Sequence, residues 1–213
     1  MSADGPGGQR PSQLRFGPVE IGYDDLVLTP RPWTLAQARW VEELPRGPML
    51  ELGCGAGHIG LAAAVLTGSS LVQVDRSEAA CRWAATNAAA AGCSERVSQR
   101  CGDVGEVLRP DERFAVVIAD PPYISSSSVE RHPLDPVLAI DGGDDGLDLA
   151  RRFLTVAADH LAPDGSVVLQ LGGAHQVDGV AAWLGEPSSP ALEVVDRRIV
   201  ADDRTLALLQ AAG

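Results

Sequence analysis

Lysine is absent from all 213 residues, so each of the 17 cations is an arginine. No Schiff base, no P-loop lysine and no Tyr-x-x-x-Lys dehydrogenase pair can be built without that amine. Long apolar runs are missing as well, and the start Met1-Ser2-Ala3-Asp4 has no charged-then-apolar signal pattern. A bilayer-spanning helix needs about 20 apolar residues, so a soluble, non-exported, cytoplasmic protein without membrane contact is expected. Cys54, Cys81, Cys93 and Cys101 form no C-x-x-C pair, which argues against a disulfide framework or a zinc site; no metal is expected. Basic excess is lacking too: the formal charge is −12. Broad contact with phosphate backbones needs clustered cations, so nucleic acid is disfavoured as a partner except at a local arginine patch.

The length suits one domain with a full-sized core. Residues 1–18, rich in Gly, Pro, Ser and Gln, are expected to be a disordered tail, and residues 19–213 a single domain. Thr34 with Gln37 fits a capping box opening a helix that carries Leu35, Ala38, Val41 and Leu44 on one face. Strand–helix alternation follows. Strands are read at Met49–Leu52, Leu71–Val74, Val97–Cys101, Phe114–Ala119 and Ser166–Leu171. Helices are read at His58–Leu66, after Ser77, at Leu147–Leu161 and at Ala174–Leu184. Leu192–Val200 and Arg204–Gln210 flank Ala201-Asp202-Asp203 as a hairpin. Apolar strands separated by helices imply a buried, mostly parallel sheet of the Rossmann-like α/β class, with an antiparallel edge.

Glu51-Leu52-Gly53-Cys54-Gly55-Ala56-Gly57 leaves a strand and opens a helix. Glycines there allow positive φ and close approach of backbone to a ligand. Asp75, followed by Arg76, ends the next strand about 20 residues on, where a carboxylate can accept both ribose hydroxyls. Three readings compete: an S-adenosylmethionine site, a dinucleotide site (Gly55 to Gly60 also fits G-x-G-x-x-G), and a purely structural turn. Glu51 favours the first, since a carboxylate attracts a cationic methionine end and repels a pyrophosphate. Asp103 and Val104 end the third strand, placed to accept from an adenine amino group and to pack on its ring; an ordinary turn aspartate is the plain alternative.

Asp120-Pro121-Pro122-Tyr123 ends the strand Phe114–Ala119. Prolines fix φ and offer no N–H, so the Pro121 carbonyl can stand as a rigid acceptor beside the Asp120 carboxylate. Two acceptors match the two hydrogens of an NH2 group. The Tyr123 ring can stack on a flat amide or base. Asp120, Pro121 and Tyr123 are therefore the expected catalytic residues, and positioning is the expected source of rate.

These motifs resemble those of class I S-adenosylmethionine-dependent methyltransferases, and within them the release-factor glutamine methyltransferases. Thr29-Pro30-Arg31-Pro32, Asp120-Pro121-Pro122-Tyr123-Ile124 and the run Leu138 to Asp148 carry the likeness. It implies a seven-stranded sheet whose last strand is antiparallel. S-adenosylmethionine would be held by Glu51, Gly53, Cys54, Gly55, Ala56, Gly57, Asp75, Arg76, Asp103, Val104 and Asp120. The acceptor would be held by Asp120, Pro121, Pro122, Tyr123 and Arg31. That family has asparagine where this chain has Asp120, and glutamate where it has Trp33. The function expected is N-methyl transfer to an amide or amine of a protein glutamine or a small molecule; the alternative is a nucleobase amino group in RNA or DNA, since D-P-P-Y recurs in adenine- and guanine-amino methyltransferases. His132 lies where a substrate would pass, and Asp141, Asp144 and Asp145 fail calcium-loop spacing.

Overall fold

The computed structural model describes residues 11–201 and 204–213. Two short strands, β1 (Ser12–Phe16) and β2 (Val19–Tyr23), form an antiparallel ribbon that stands apart from the main sheet. The expected disordered tail to residue 18 is thereby corrected for residues 12–18; residues 1–10 lie outside the described residues. Phe16, Val19 and Ile21 alternate along the ribbon and are buried, so one of its faces belongs to the core. The Asn87 side chain ties the ribbon down by accepting from Gly22 N (2.8 Å) and donating to Gly22 O (2.9 Å).

From there strands and helices alternate: α1 (Leu35–Glu42), β3 (Met49–Leu52), α2 (His58–Thr67), β4 (Leu71–Asp75), α3 (Glu78–Ala90), β5 (Val97–Cys101) and β6 (Phe114–Ala119). The short α4 (Val137–Ile140) and then α5 (Asp148–His160), β7 (Leu161–Leu171), α6 (Ala174–Leu184), β8 (Leu192–Ala201) and β9 (Arg204–Ala211) complete the chain. The main sheet has the order β5-β4-β3-β6-β7-β9-β8. Strands β3 to β7 are parallel, and β9 runs antiparallel to both β7 and β8. This is the seven-stranded Rossmann-like sheet with an antiparallel last strand. The hairpin between β8 and β9 forms, although Asp202 and Asp203 lie outside the described residues.

Side-chain alternation divides the core in two. Met49, Val116, Ile118 and Val168 face α1 to α3 and the ribbon. Leu50, Leu52, Val117, Ala119, Val167 and Leu169 face α5 and α6. Ser77 caps α3, accepting from Ala80 N at 3.4 Å. The capping box at Thr34 does not form: Thr34 Oγ1 donates backward to Arg31 O (2.8 Å), and Gln37 turns into the sheet instead. Its Nε2 donates to Ala119 O (2.9 Å) and Val168 O (2.7 Å), bridging β6 and β7 at the edge where the functional loops emerge.

Candidate active site

Leu52 of β3 stands opposite Ala119 of β6, so Gly53 and Asp120 leave neighbouring strands at the same edge. Asp75 ends β4 on the other side of β3, and Cys101 of β5 stands opposite Asp75. The register alone thus brings the glycine turn, Asp75, Asp103 and Asp-Pro-Pro-Tyr to the carboxyl edge of a parallel sheet, where open α/β folds bind ligands.

Strand β4 holds the glycine turn. Val74 O accepts from Gly53 N (2.9 Å) and Cys54 N (3.0 Å), and Asp75 Oδ2 accepts from Gly55 N (2.9 Å). The other Asp75 oxygen accepts from Ser77 N at 2.8 Å. Cys54 and Ala56 are buried behind the turn, and burial pushes the Cys54 thiol pKa up. Gly55 has φ +52°, and no atom lies within 4 Å of where a Cβ would stand. Bare backbone therefore faces open space at the middle of the turn, as a closely approaching ligand requires.

Glu51 corrects one expectation. By alternation along β3 it lies on the α2 side and is buried. Its Oε1 accepts from Gly60 N (3.0 Å) and its Oε2 from Gln73 Nε2 (2.7 Å). Burial raises its pKa to about 7 against those two hydrogen bonds. Glu51 is an internal brace beneath α2 rather than an exposed partner for a cationic ligand end. Asp103 uses one carboxylate oxygen in its own turn: Oδ1 accepts from Gly105 N (2.9 Å) and pairs with Arg152, and with Arg76 also near, its pKa is lowered. Val104 is buried beside it. Arg76 itself is exposed at the head of the turn after β4.

Asp120, Pro121 and Tyr123 line a cavity of about 250 Å³ together with Trp33, Gln170 and Arg204. Asp120 opens onto this cavity but is otherwise enclosed by protein. Burial raises its pKa to about 7, against the Arg204 charge and a hydrogen bond donated by Gln170 Nε2 to Oδ1 at 3.0 Å. Among the described residues, the Pro121 carbonyl accepts no hydrogen bond, so its lone pairs are left for a ligand. The Arg204 guanidinium lies 5.1 Å from the Tyr123 ring centroid and 5.5 Å from that of Trp33. Burial, with Asp120 nearby, raises the Tyr123 phenol to about 12, so it stays protonated. Arg31 lines the cavity as expected, but its guanidinium is already bound to Asp135, at 2.7 and 3.0 Å to the two oxygens. His132 also lies on the cavity wall.

The run from Asp141 to Asp148 grips this turn from outside. Ile124 N donates to Ile140 O (3.0 Å) and Gly142 N to Ile124 O (2.8 Å). A Cβ on Gly146, whose φ is +77°, would stand 2.4 Å from Tyr123 O, so only glycine fits. Asp141 Oδ1 accepts from Ser126 Oγ (2.7 Å) and Gly143 N (3.0 Å), and Asp145 accepts from Leu147 N (3.0 Å) and pairs with Arg151, so both carboxylates are engaged within this segment. Among the described residues no group of three or more His, Cys, Asp or Glu side chains could hold a metal ion.

Sequence reasoning passed over Asp135, Gln170 and Arg204, and gave Gln37 only a capping role. Gln170 carries a detectable signal, a polar residue that interrupts the buried apolar run Val167–Leu171 at the end of β7. The others become visible only once distant segments meet.

The model of one family, the methyltransferase small domain, matches residues 36–172. The chain belongs to that family. This methyltransferase domain is 37% identical over 129 residues to the ribosomal protein uL3 glutamine methyltransferase of Bradyrhizobium diazoefficiens, covering 58% of this chain and 40% of that protein. It is 34% identical over 163 residues to the release factor glutamine methyltransferase of Gloeobacter violaceus, covering 72% of this chain and 57% of that protein. The chain thus spans about half the length of these curated relatives. The crystal structure of a ribosomal protein L11 methylase from Lactobacillus delbrueckii subsp. bulgaricus superposes with a TM-score of 0.62 at 18% identity, covering 88% of this chain and 82% of that one. That likeness shows the shared fold. The methyl donor of the family is S-adenosylmethionine. The open backbone at Gly55 and the partly exposed Asp75 carboxylate beside it fit such a group.

Proposed function

We propose that this domain transfers a methyl group from S-adenosylmethionine to the side-chain amide nitrogen of a glutamine in a protein. The observation that carries the reading is the pairing of Asp120 with an uncommitted Pro121 carbonyl, on the strand adjacent to the glycine turn. When bound, S-adenosylmethionine supplies an electrophilic methyl carbon on a sulfonium. This chain holds and orients the acceptor. One amide hydrogen is donated to Asp120 and the other to the Pro121 carbonyl, which aims the nitrogen lone pair at the methyl carbon for in-line displacement. The Tyr123 ring covers the flat face of the amide.

Transfer would form the nitrogen–carbon bond as the donor's carbon–sulfur bond breaks and the donor leaves as its thioether, and the nitrogen would then have one proton to lose. A carboxylate with a pKa near 7 can accept that proton and pass it to water. The raised value reflects the enclosed setting, which also strengthens both hydrogen bonds to the acceptor.

The names of the two relatives point to protein glutamines as the acceptor class, and the charge of −12 weighs against a phosphate backbone. A release factor or ribosomal protein as acceptor supports a cytoplasmic setting for the reaction. The test is incubation with methyl-labelled S-adenosylmethionine and, separately, a release factor, ribosomal protein uL3, a structured RNA and a metabolite extract. Mass spectrometry of the labelled product is expected to show N5-methylglutamine. Label in adenine or guanine, or only in a small molecule, would overturn the acceptor assignment.

A further inference from the structure

Asp120 has two oxygens, and the clamp described above uses one of them. What selects that oxygen is a glutamine on the next strand. Ala119 of β6 stands opposite Leu169 of β7, so Asp120 and Gln170 follow side by side. Alternation puts both on the face that carries Ile118 and Val168. Gln170 is 1% exposed, lines the same cavity, and donates Nε2 to Asp120 Oδ1 at 3.0 Å. Its own Oε1 is buried without a hydrogen-bond partner among the described residues. A buried amide oxygen left unmade costs free energy. A glutamine kept in this orientation is therefore there for its NH2 end, and a carboxylate, which only accepts, dictates that orientation.

We propose that Gln170 is the positioning residue of the methyl-acceptor clamp: its amide fixes one oxygen of Asp120 so that the other is presented to the acceptor nitrogen. This inference rests on the amide-methylation reading for its consequence in turnover, but the Gln170–Asp120 contact exists in the free protein. The remaining charged or titratable groups felt by Asp120 are Arg204 from β9, Glu51 from β3 and Tyr123 from its own turn.

Hydrogen-bond polarity supplies the test. Gln170→Glu sets two carboxylates face to face. One of them must take up a proton, and the acceptor clamp loses its ionised oxygen or its orientation. Adding Asp120→Asn restores a donor–acceptor pair with the polarity reversed, because the new amide donates to the new carboxylate and keeps its own oxygen for the acceptor. A glutamine that merely fills space at the end of β7 gives no reason for the second change to repair the first.

The expected result is a loss in kcat of about 100-fold at pH 7 for Gln170→Glu, with the acid limb of its pH profile moved upward. The double variant Gln170→Glu/Asp120→Asn is expected to recover at least about tenfold of that loss. A double variant no faster than Gln170→Glu, with both folded by circular dichroism, overturns the proposal.

A second measurement needs no acceptor. In the free protein labelled with 13C at aspartate carboxyls, the Asp120 midpoint is expected to rise by about one pH unit in Gln170→Met, which keeps the volume and removes the donor. An unmoved midpoint overturns the proposal. If the wild type methylates no glutamine in a release factor or uL3, the acceptor reading fails, and the titration alone still decides the role of Gln170.

Discussion

Gln176 Nε2 donates to the Tyr123 carbonyl at 2.9 Å, while its Oε1 accepts from Gly172 N at 2.7 Å. One buried amide thus joins the start of α6, the end of β7 and the turn that would hold the acceptor. Gln176→Leu leaves a buried N–H and a buried carbonyl unpaired, at a cost of about 1–3 kcal/mol. Thermal unfolding is expected to shift down by several degrees, roughly as a change of that size does in a domain of this length. Turnover is expected to fall about tenfold as the turn loosens. A full-activity variant with lowered stability would separate the brace from the chemistry.

Asp120→Ala removes an acceptor from the clamp without touching the glycine turn. Turnover is expected to fall by about 100-fold or more. The dissociation constant for S-adenosylmethionine, read by calorimetry, is expected to change by no more than about threefold, less than the loss of one good hydrogen bond.

Asp75→Ala acts on the other half of the site. It strips Gly55 N and Ser77 N of their partner and removes the carboxylate expected at the ribose. Affinity for S-adenosylmethionine is expected to drop about tenfold or more, with a stability loss of about 1–2 kcal/mol from the unpaired turn. Equilibrium binding and urea unfolding separate the two effects.

The raised carboxylates set a pH dependence whose sign can be worked out. Asp120 moves from 3.8 to about 7 and Glu51 from 4.5 to about 7 on folding. Between those limits the folded protein binds more protons than the unfolded chain, so these groups make stability fall as pH rises through 4 to 7. Buried His58, lowered from 6.5 to about 3, works the other way below 6.5 because the unfolded chain binds the extra proton there. Two acids outweigh one histidine, and the decline is expected to be steepest between about 6.5 and 7. Melting temperatures from pH 5 to 8 should fall in the wild type and fall less in Glu51→Gln. An equal slope in both would show that Glu51 titrates like an exposed carboxylate.

Turnover is expected to rise with pH up to about 7 and then level off, because ionised Asp120 is the stronger acceptor and alone can take up the proton that the nitrogen releases. A profile flat from pH 5 to 8 would place the Asp120 ionisation well below its enclosed value.

Most of the sheet was legible in the chain because parallel strands buried on both faces read as apolar runs. Phe114–Ala119 and Val97–Cys101 begin and end where the sequence pattern puts them. The glycine turn and Asp-Pro-Pro-Tyr were legible because special backbone geometry restricts residue type. The β1–β2 ribbon was not: a Gly- and Pro-rich composition hid the alternation of Leu14, Phe16, Val19 and Ile21, whose burial depends on distant α3 and Asn87. Glu51 misled because a carboxylate beside a ligand loop looks the same in sequence whether it faces the ligand or the helix behind. Only its place in the pleat of β3 decides, and a shift of one position reverses it. Gln37 and Gln170 escaped for a related reason, since each acts on a strand far away in the chain.

Gln37 holds the Ala119 carbonyl just before the turn, and the glycine at 146 leaves room for the Tyr123 carbonyl at its end. Four residues that look portable as a motif are thus seated by segments more than 80 positions upstream and about 20 downstream. Transplanting Asp-Pro-Pro-Tyr alone onto another parallel sheet would carry the letters without the seat. A working graft needs that amide and that glycine moved with it.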